Sequence, residues 1–275
     1  MARSTPERRR KTLVKTLFGS YYVLFLIFIY GPMFAMFTLS FQAQQAGINF
    51  PMKGFSIYWW RQLFDPNVMG SLHQSLVRSL VLAIVVMVLT ALLSTMLAMA
   101  YRQKFFGSGV LFYTIMTGLM LPGILVGLGV SLLTSALKIP PAWWFTGLGV
   151  QLVWSLPFGF LIMLAVFNRF DSRLEEAARD MGASEWTVFR EITLPLILPG
   201  VISAGLFGFT LSYDEFPRTM LLSGESNTLP LDIYSFLTQR VRPSLFAMGT
   251  ASTLFSVFLI VVFLVVYTYL SKRTR

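Results

Sequence analysis

Six stretches of the chain are long, apolar and almost free of charge, and short polar segments separate them. The first runs from Leu17 to Leu39, and the others lie at roughly 76–100, 109–134, 143–167, 196–222 and 247–270. Each can cross a hydrocarbon core, which takes about 20 apolar residues at a rise of about 1.5 Å per residue. The apolar positions run on continuously and do not alternate, so the spans read as helices and not as barrel strands. No charged residue interrupts the centres of the first four or the last. The pattern predicts an all-α polytopic membrane protein with six transmembrane helices.

The polar interval 168–195 between the fourth and fifth spans has a pattern of its own. It holds six of the twelve acids in the chain: Asp171, Glu175, Glu176, Asp180, Glu185 and Glu191. Asp171 can cap a helix whose first turns carry Glu175 and Glu176, as the helix dipole favours. Leu174, Ala177, Ala178 and Met181 recur at helical spacing and predict one small apolar face. Gly182 can end that helix in a left-handed conformation that a Cβ would resist. Ser184 can cap a second short helix, with Trp186, Phe189 and Ile192 along one side, until Pro195 limits it. The prediction is a cytosolic helix-turn-helix elbow. The chain then divides into a basic N-terminus (1–16), a six-helix membrane domain (17–270, with the elbow at 168–195) and a basic tail (271–275).

Composition sharpens this reading. Of 275 residues 55% are hydrophobic and only 12% charged, with a mean hydropathy of +0.68. A soluble domain carries about a quarter charged residues, so the chain is an integral membrane protein. The absence of cysteine removes disulfide, thiol and iron–sulfur chemistry. A formal charge of +10 would suit a nucleic-acid partner, but its distribution fits the cytosolic excess of Lys and Arg instead. With the N-terminus inside, 15 of the 22 basic residues fall on the cytosolic side. Both termini and the elbow are therefore expected in the cytosol. The basic segment Met1–Lys15 precedes a run too long for a secretory core of about 7–15 residues, which predicts an uncleaved first helix.

Outside the membrane, the aromatic run from Phe55 to Phe64 predicts a helix lying at the outer interface. Gly123 and Gly127, and then Gly200, Ala204 and Gly208, place small residues on single helix faces where backbones can approach closely. Pro122 and Pro157 are expected to bend spans three and four, either as plain kinks or as openings toward a pathway.

Candidate chemistry is sparse. No Gly-x-x-x-x-Gly-Lys-Ser/Thr loop is present, so any ATP-driven step needs a separate ATPase. His73 is the lone histidine and has no ligand cluster around it, and no nucleophile–base or paired-carboxylate spacing is interpretable. No catalytic residue, metal site or cofactor is expected in this chain. The remaining signal is Ser212-Tyr213-Asp214-Glu215, followed by Pro217 and Arg218, at the outer end of span five. Asp214 lies roughly 27 Å along the helix from Leu196, near the outer boundary. Ionisable groups at membrane depth usually face a bundle interior or a watery cavity. Asp214 and Arg218, four apart, can also simply pair, which leaves Glu215 unaccounted for. Both readings stand, with the pathway-lining one ahead.

Glu176-Ala177-Ala178, Gly182, Ile192, Leu194 and Pro195 resemble the EAA loop of ATP-binding-cassette importer permeases at each fixed position. Leu211-Ser-Tyr-Asp-Glu-Phe216 is similar to the Leu-Ser-x-Asp-Asp-Phe segment of the spermidine/putrescine-type permeases, with Glu215 in place of the second Asp. Thr228-Leu-Pro-Leu-Asp-Ile-Tyr-Ser235 resembles the same subgroup, and so does the order from Gly54 to Leu63, with Trp60 where Tyr is usual. The resemblance implies a bacterial cytoplasmic (inner) membrane permease for a small solute, a polyamine or related organic cation. It implies that the seven loop residues dock into an ATPase, and that Ser212, Tyr213, Asp214 and Glu215 line the route. The implied partners are two copies of the ATPase (which carry the ATP and Mg), a second permease, an extracytoplasmic substrate-binding protein and the lipid bilayer. A secondary transporter or channel is the competing class. It would more often carry acids or His inside its spans, which spans one to four lack, and it gives no reason for the elbow.

Overall fold

The computed structural model describes residues 6–65, 72–103, 105–239 and 243–273. Helices supply the regular structure of these residues, and one isolated antiparallel bridge joins Gln42 to Phe55. The chain forms two units: one built from residues up to 69 with 236–256, the other from 70–235 with 257 onward.

In the first unit α1 (Pro6–Leu39) runs through Pro32 without a break. Its apolar side chains, Phe18 and Phe28 among them, are largely exposed, which suits a helix whose solvent is lipid. The outer segment is pinned by Gln42, 1% exposed. Its Nε2 donates to the carbonyls of Gly47 and Asn49, and its Oε1 accepts the Lys53 N–H. Phe41 stacks on Phe55 and Trp60, and Trp59 donates its indole N–H to the Gln42 carbonyl. The expected interfacial helix is only α2 (Tyr58–Gln62). Phe55 is taken by the bridge to Gln42, so the aromatic run splits between a turn and one short helix.

The second unit is built on α3 (Leu72–Ala100), α6 (Leu148–Phe167) and α9 (Leu194–Tyr213), which pack against one another. Small residues set how closely they cross. A Cβ on Gly159 would lie 2.8 Å from Thr90, one on Gly208 2.9 Å from Thr90, and one on Gly200 2.5 Å from Val166. At the same crossing Thr90 and Ser155 share a buried hydrogen bond of 2.8 Å. Ala98, Phe160, Met163, Phe167, Ile197 and Ala204 form the buried apolar cluster nearer the elbow. The small face expected along span five is therefore a real packing face.

Two predicted spans differ from the sequence reading. The third is two helices, α4 (Ser108–Met120) and α5 (Gly123–Ala136), bent by 110°. Leu121 is extended, as the residue before a proline tends to be, and Pro122 starts the new helix. Among the described residues five helices are thus long and apolar enough to cross a membrane, and the bent pair makes a sixth span if counted as one. The fifth span is displaced: it is continuous from Glu185 to Tyr213, where 196–222 was expected. Pro195 does not stop it, because residues 189–193 form a π-turn in which the Leu194 N–H reaches the Phe189 carbonyl. That wider turn accommodates a proline at the start of α9. Pro157 also stays inside a continuous α6. Pro157 has no N–H to offer the Val153 carbonyl, and Gly118 of α4 lies against that oxygen, where a Cβ would come within 2.9 Å.

Candidate functional site

The elbow forms as its local chemistry dictates. Its first helix, α7 (Arg173–Asp180), begins where Asp171 accepts the Arg173 N–H at 3.0 Å. Gly182 has φ +87°. The Gly182 N–H bonds the Arg179 carbonyl (2.8 Å) and the Ala183 N–H the Ala178 carbonyl (3.0 Å), closing a Schellman motif. Ser184 Oγ then accepts the Thr187 N–H at 3.2 Å and caps α8 (Glu185–Val188). An exposed ion pair, Arg179–Glu185 at 2.6 Å, spans the turn.

The face that α7 buries is not the one its apolar spacing implied. Ala178 is buried beside Glu175, whereas Leu174, Ala177 and Met181 are exposed, Met181 at 83%. The reason is the partner set of Glu175. Arg102 donates to its two carboxylate oxygens at 3.0 and 2.6 Å, and Thr193 Oγ1 donates to Oε1 at 2.5 Å. The Arg102 guanidinium also sits 5.3 and 5.1 Å from the ring centroids of Phe167 and Phe170. Chiefly the Arg102 hydrogen bonds, with help from Thr193, hold the Glu175 carboxyl below the usual glutamate range against the opposing effect of burial. Turning α7 to satisfy this carboxylate turns its apolar residues outward.

Of the seven predicted loop residues, Glu176, Ala177 and Gly182 are exposed, Ala178 is buried, and Ile192, Leu194 and Pro195 are half-buried where the elbow enters α9. An open cleft of about 370 Å³ lies between the elbow and the end of α3, lined by Arg102, Glu175, Glu176, Arg179, Glu185 and Thr193 among others. Sequence reasoning missed Arg102 and Thr193. Arg102 lies 73 positions before Glu175, so no local spacing reports the pair, and Thr193 carries no charge to draw attention.

The second cluster forms where α9 stops. Ser212, Tyr213 and Glu215 are buried, and Asp214 is exposed. Ser212 Oγ donates to Gln151 Oε1 of α6. Arg218 does not pair with Asp214. It closes on Glu215, with the backbone N–H to Oε1 at 2.8 Å and Nη1 to Oε2 at 3.1 Å. Its guanidinium stacks 3.8 Å from the Trp154 ring centroid. Gly123 and Gly127 of α5 lie against Arg218, where a Cβ would meet Nη1 at 2.9 Å and the carbonyl at 2.7 Å respectively. The 228–235 element opens α10 (Leu229–Gln239) and is seated on α3. Arg78 Nε donates to the Asn227 carbonyl, and Ser79 Oγ accepts the Leu229 N–H, both at 2.8 Å. His73 is exposed, and no group of three or more His, Cys, Asp or Glu residues among the described ones could hold a metal.

Apolar spans carrying one charge-rich, exposed helix-turn-helix are the architecture of a membrane transport subunit. Residues 91–275 match the family described as the binding-protein-dependent transport system inner membrane component, and the chain belongs to that family. It is similar to the spermidine/putrescine transport system permease protein PotC of Haemophilus influenzae, with 32% identity over 237 residues, 85% of this chain and 90% of that one. Escherichia coli PotC is 31% identical over 250 residues, 90% and 92% of the two chains. The molybdenum transport system permease protein ModB of H. influenzae is 32% identical over 196 residues, 63% and 82% of the two chains. A crystal structure of a bacterial ABC transporter involved in import of the acidic polysaccharide alginate shares the fold, with a TM-score of 0.66 and 17% identity over 98% of this chain and 99% of that one. This chain is the non-catalytic permease component of an ATP-binding-cassette importer, and the secondary-transporter reading falls away.

Proposed function

We propose that this permease forms half of the route for a small organic cation of the polyamine kind, and that its elbow docks into a separate ATPase. The observation that carries the reading is the orientation of the elbow. Its inner side is fixed through Glu175, while Leu174, Glu176, Ala177, Met181 and Trp186 stand exposed. Exposed apolar side chains grouped on one short, rigid motif fit a protein partner better than water. In this reading Glu176 makes a polar contact with the ATPase, Ala177 permits close approach, Ala178 lets the elbow pack closely on its own chain, and Gly182 sets the turn. Ile192, Leu194 and Pro195 join the docked elbow to α9. ATP and Mg belong to the partner.

The complete importer in this reading has two ATPase copies, a second permease and an extracytoplasmic binding protein, in the inner membrane of a bacterium, with both termini of this chain in the cytosol. Similarity to the two PotC proteins supports the polyamine assignment. Asp214 offers the route an exposed carboxylate, and Ser212, Tyr213 and Glu215 build the turn that presents it. Purification of the tagged permease from membranes tests the docking. The reading expects a stoichiometric ATPase that is lost when Leu174, Met181 and Trp186 are replaced together by Asp; retention of the ATPase by that triple variant would contradict it.

A further inference from the structure

The end of α3, the end of α6, the elbow and the entry to α9 all converge on one carboxylate. Arg102 is held in the turn that follows α3, where its N–H bonds the Met99 carbonyl at 3.1 Å. Its guanidinium lies against Phe167, the last residue of α6, and against Phe170 in the link to the elbow. Glu175, buried on α7 with its side chain 6% exposed, is held by this guanidinium with two hydrogen bonds. Thr193 closes the π-turn that leads into α9, and its hydroxyl takes a third position on the carboxylate.

We infer that Arg102 is a positioning residue for transport: through Glu175 it makes the elbow move as one body with α3 and α9, so that displacement of the elbow by the ATPase becomes displacement of the spans. This rests on the docking reading above and adds the way force leaves the elbow. A planar guanidinium held by two parallel bonds to a carboxylate resists both sliding and rotation, which a single hydrogen bond does not. The Arg179–Glu185 pair is a poor substitute, because it is exposed and lies within the elbow. Without Arg102, the elbow would stay joined to the spans by the chain at its two ends and by the Thr193 hydroxyl. It would then yield when pushed.

The absence of cysteine makes the test direct. Spin labels are placed on Met96→Cys, exposed on α3, and Asp180→Cys, exposed on the elbow and outside the proposed docking residues, in the complete transporter with cysteine-free partner subunits. Their distance distribution is measured with and without a non-hydrolysable ATP analogue. In the native background it should be narrow and unchanged by nucleotide. With Arg102→Met it should broaden and become nucleotide-dependent, while the ATPase still co-purifies. Solute taken up per ATP, with putrescine as probe, should fall by about fivefold or more, within the ordinary range of coupling between sites. Exchange of the two charges (Arg102→Glu with Glu175→Arg) should restore a narrow distribution. If Arg102→Met fails to accumulate, Arg102→Lys, which keeps the charge but loses the fork, should show the same change in weaker form. An Arg102→Met or Arg102→Lys transporter that holds its ATPase and behaves as the native one would overturn the inference alone, and a charge exchange no better than the single variants would do the same. A native permease that binds no ATPase would instead bring down the docking reading and this inference with it.

Discussion

Arg218 pairs with Glu215, three positions before it, and not with Asp214, four positions before it. Both partners are buried, at 7% and 4% side-chain exposure, and the adjacent Asp214 stands exposed. Two acids that look equivalent in sequence therefore stand differently, one buried in an ion pair and one exposed.

That division makes Asp214→Asn and Glu215→Gln separable. Glu215→Gln leaves the buried Arg218 without its counter-charge and is expected to lower stability by about 3–5 kcal/mol. Asp214→Asn, on the surface, should stay within about 0.5 kcal/mol of native while impairing putrescine uptake without loss of the ATPase. Thermal unfolding in detergent, set beside vesicle uptake, separates the two; equal unfolding temperatures for both variants would refute the assignment.

Gly208 lies against Thr90 where α3 and α9 cross. Gly208→Val puts side-chain atoms where Thr90 already sits and should destabilise by about 1–3 kcal/mol, as overpacking does. The same change at Gly129, where a Cβ meets nothing, serves as control. Differential scanning fluorimetry of the two variants decides, and an unchanged melting temperature for Gly208→Val would mean that the spans do not cross there.

The elbow turn depends on φ +87° at Gly182. Nothing lies within 4 Å of a Cβ built there, so Gly182→Ala is strained by backbone alone and should cost about 1–2 kcal/mol. Gly182→Asn, which tolerates the left-handed region better, should recover part of that loss. Amide hydrogen exchange over residues 173–188 reads the difference, and protection in the alanine variant equal to native would argue against this turn.

Glu175 carries a pH signature. Its pKa is lowered in the folded protein, first by Arg102 and then by Thr193 and the more distant charge of Arg179. A depressed carboxyl contributes stability that is fully present above the ordinary glutamate range and is lost as pH falls through the lowered value. The native protein should therefore exceed Glu175→Gln in stability at neutral pH and lose that advantage progressively as pH falls from the ordinary glutamate range through the lowered value. The other titratable groups of the cleft are Arg102, Glu176, Arg179 and Glu185, all retained in this comparison. A gap that grew on acidification would have the wrong sign.

Much of this arrangement was legible in the residues. Uninterrupted apolar runs, Gly182 and Ser184 report local physics, and the first, second, fourth and last spans, the turn and the cap appear where that physics puts them. The small face at Gly200, Ala204 and Gly208 was legible for the same reason. What escaped was non-local or a matter of competition. Pro195 reads as a stop, but a π-turn makes room for it. Pro122 reads as a bend and is a break of 110°. Which way the small apolar face of α7 turns was not legible, because the carboxylate that orients the helix meets its arginine across 73 residues. Arg218 had two acids within reach, and sequence spacing favoured the wrong one.

In the proposed docking the elbow receives work from a separate ATPase. Uptake of labelled putrescine into vesicles holding the complete transporter, with ATP inside and binding protein outside, tests it when the native chain is compared with one lacking residues 176–182. ATP-dependent uptake by the native transporter and none by the deletion is the expected result. Full-rate uptake without ATP, or by the deleted chain, would contradict it.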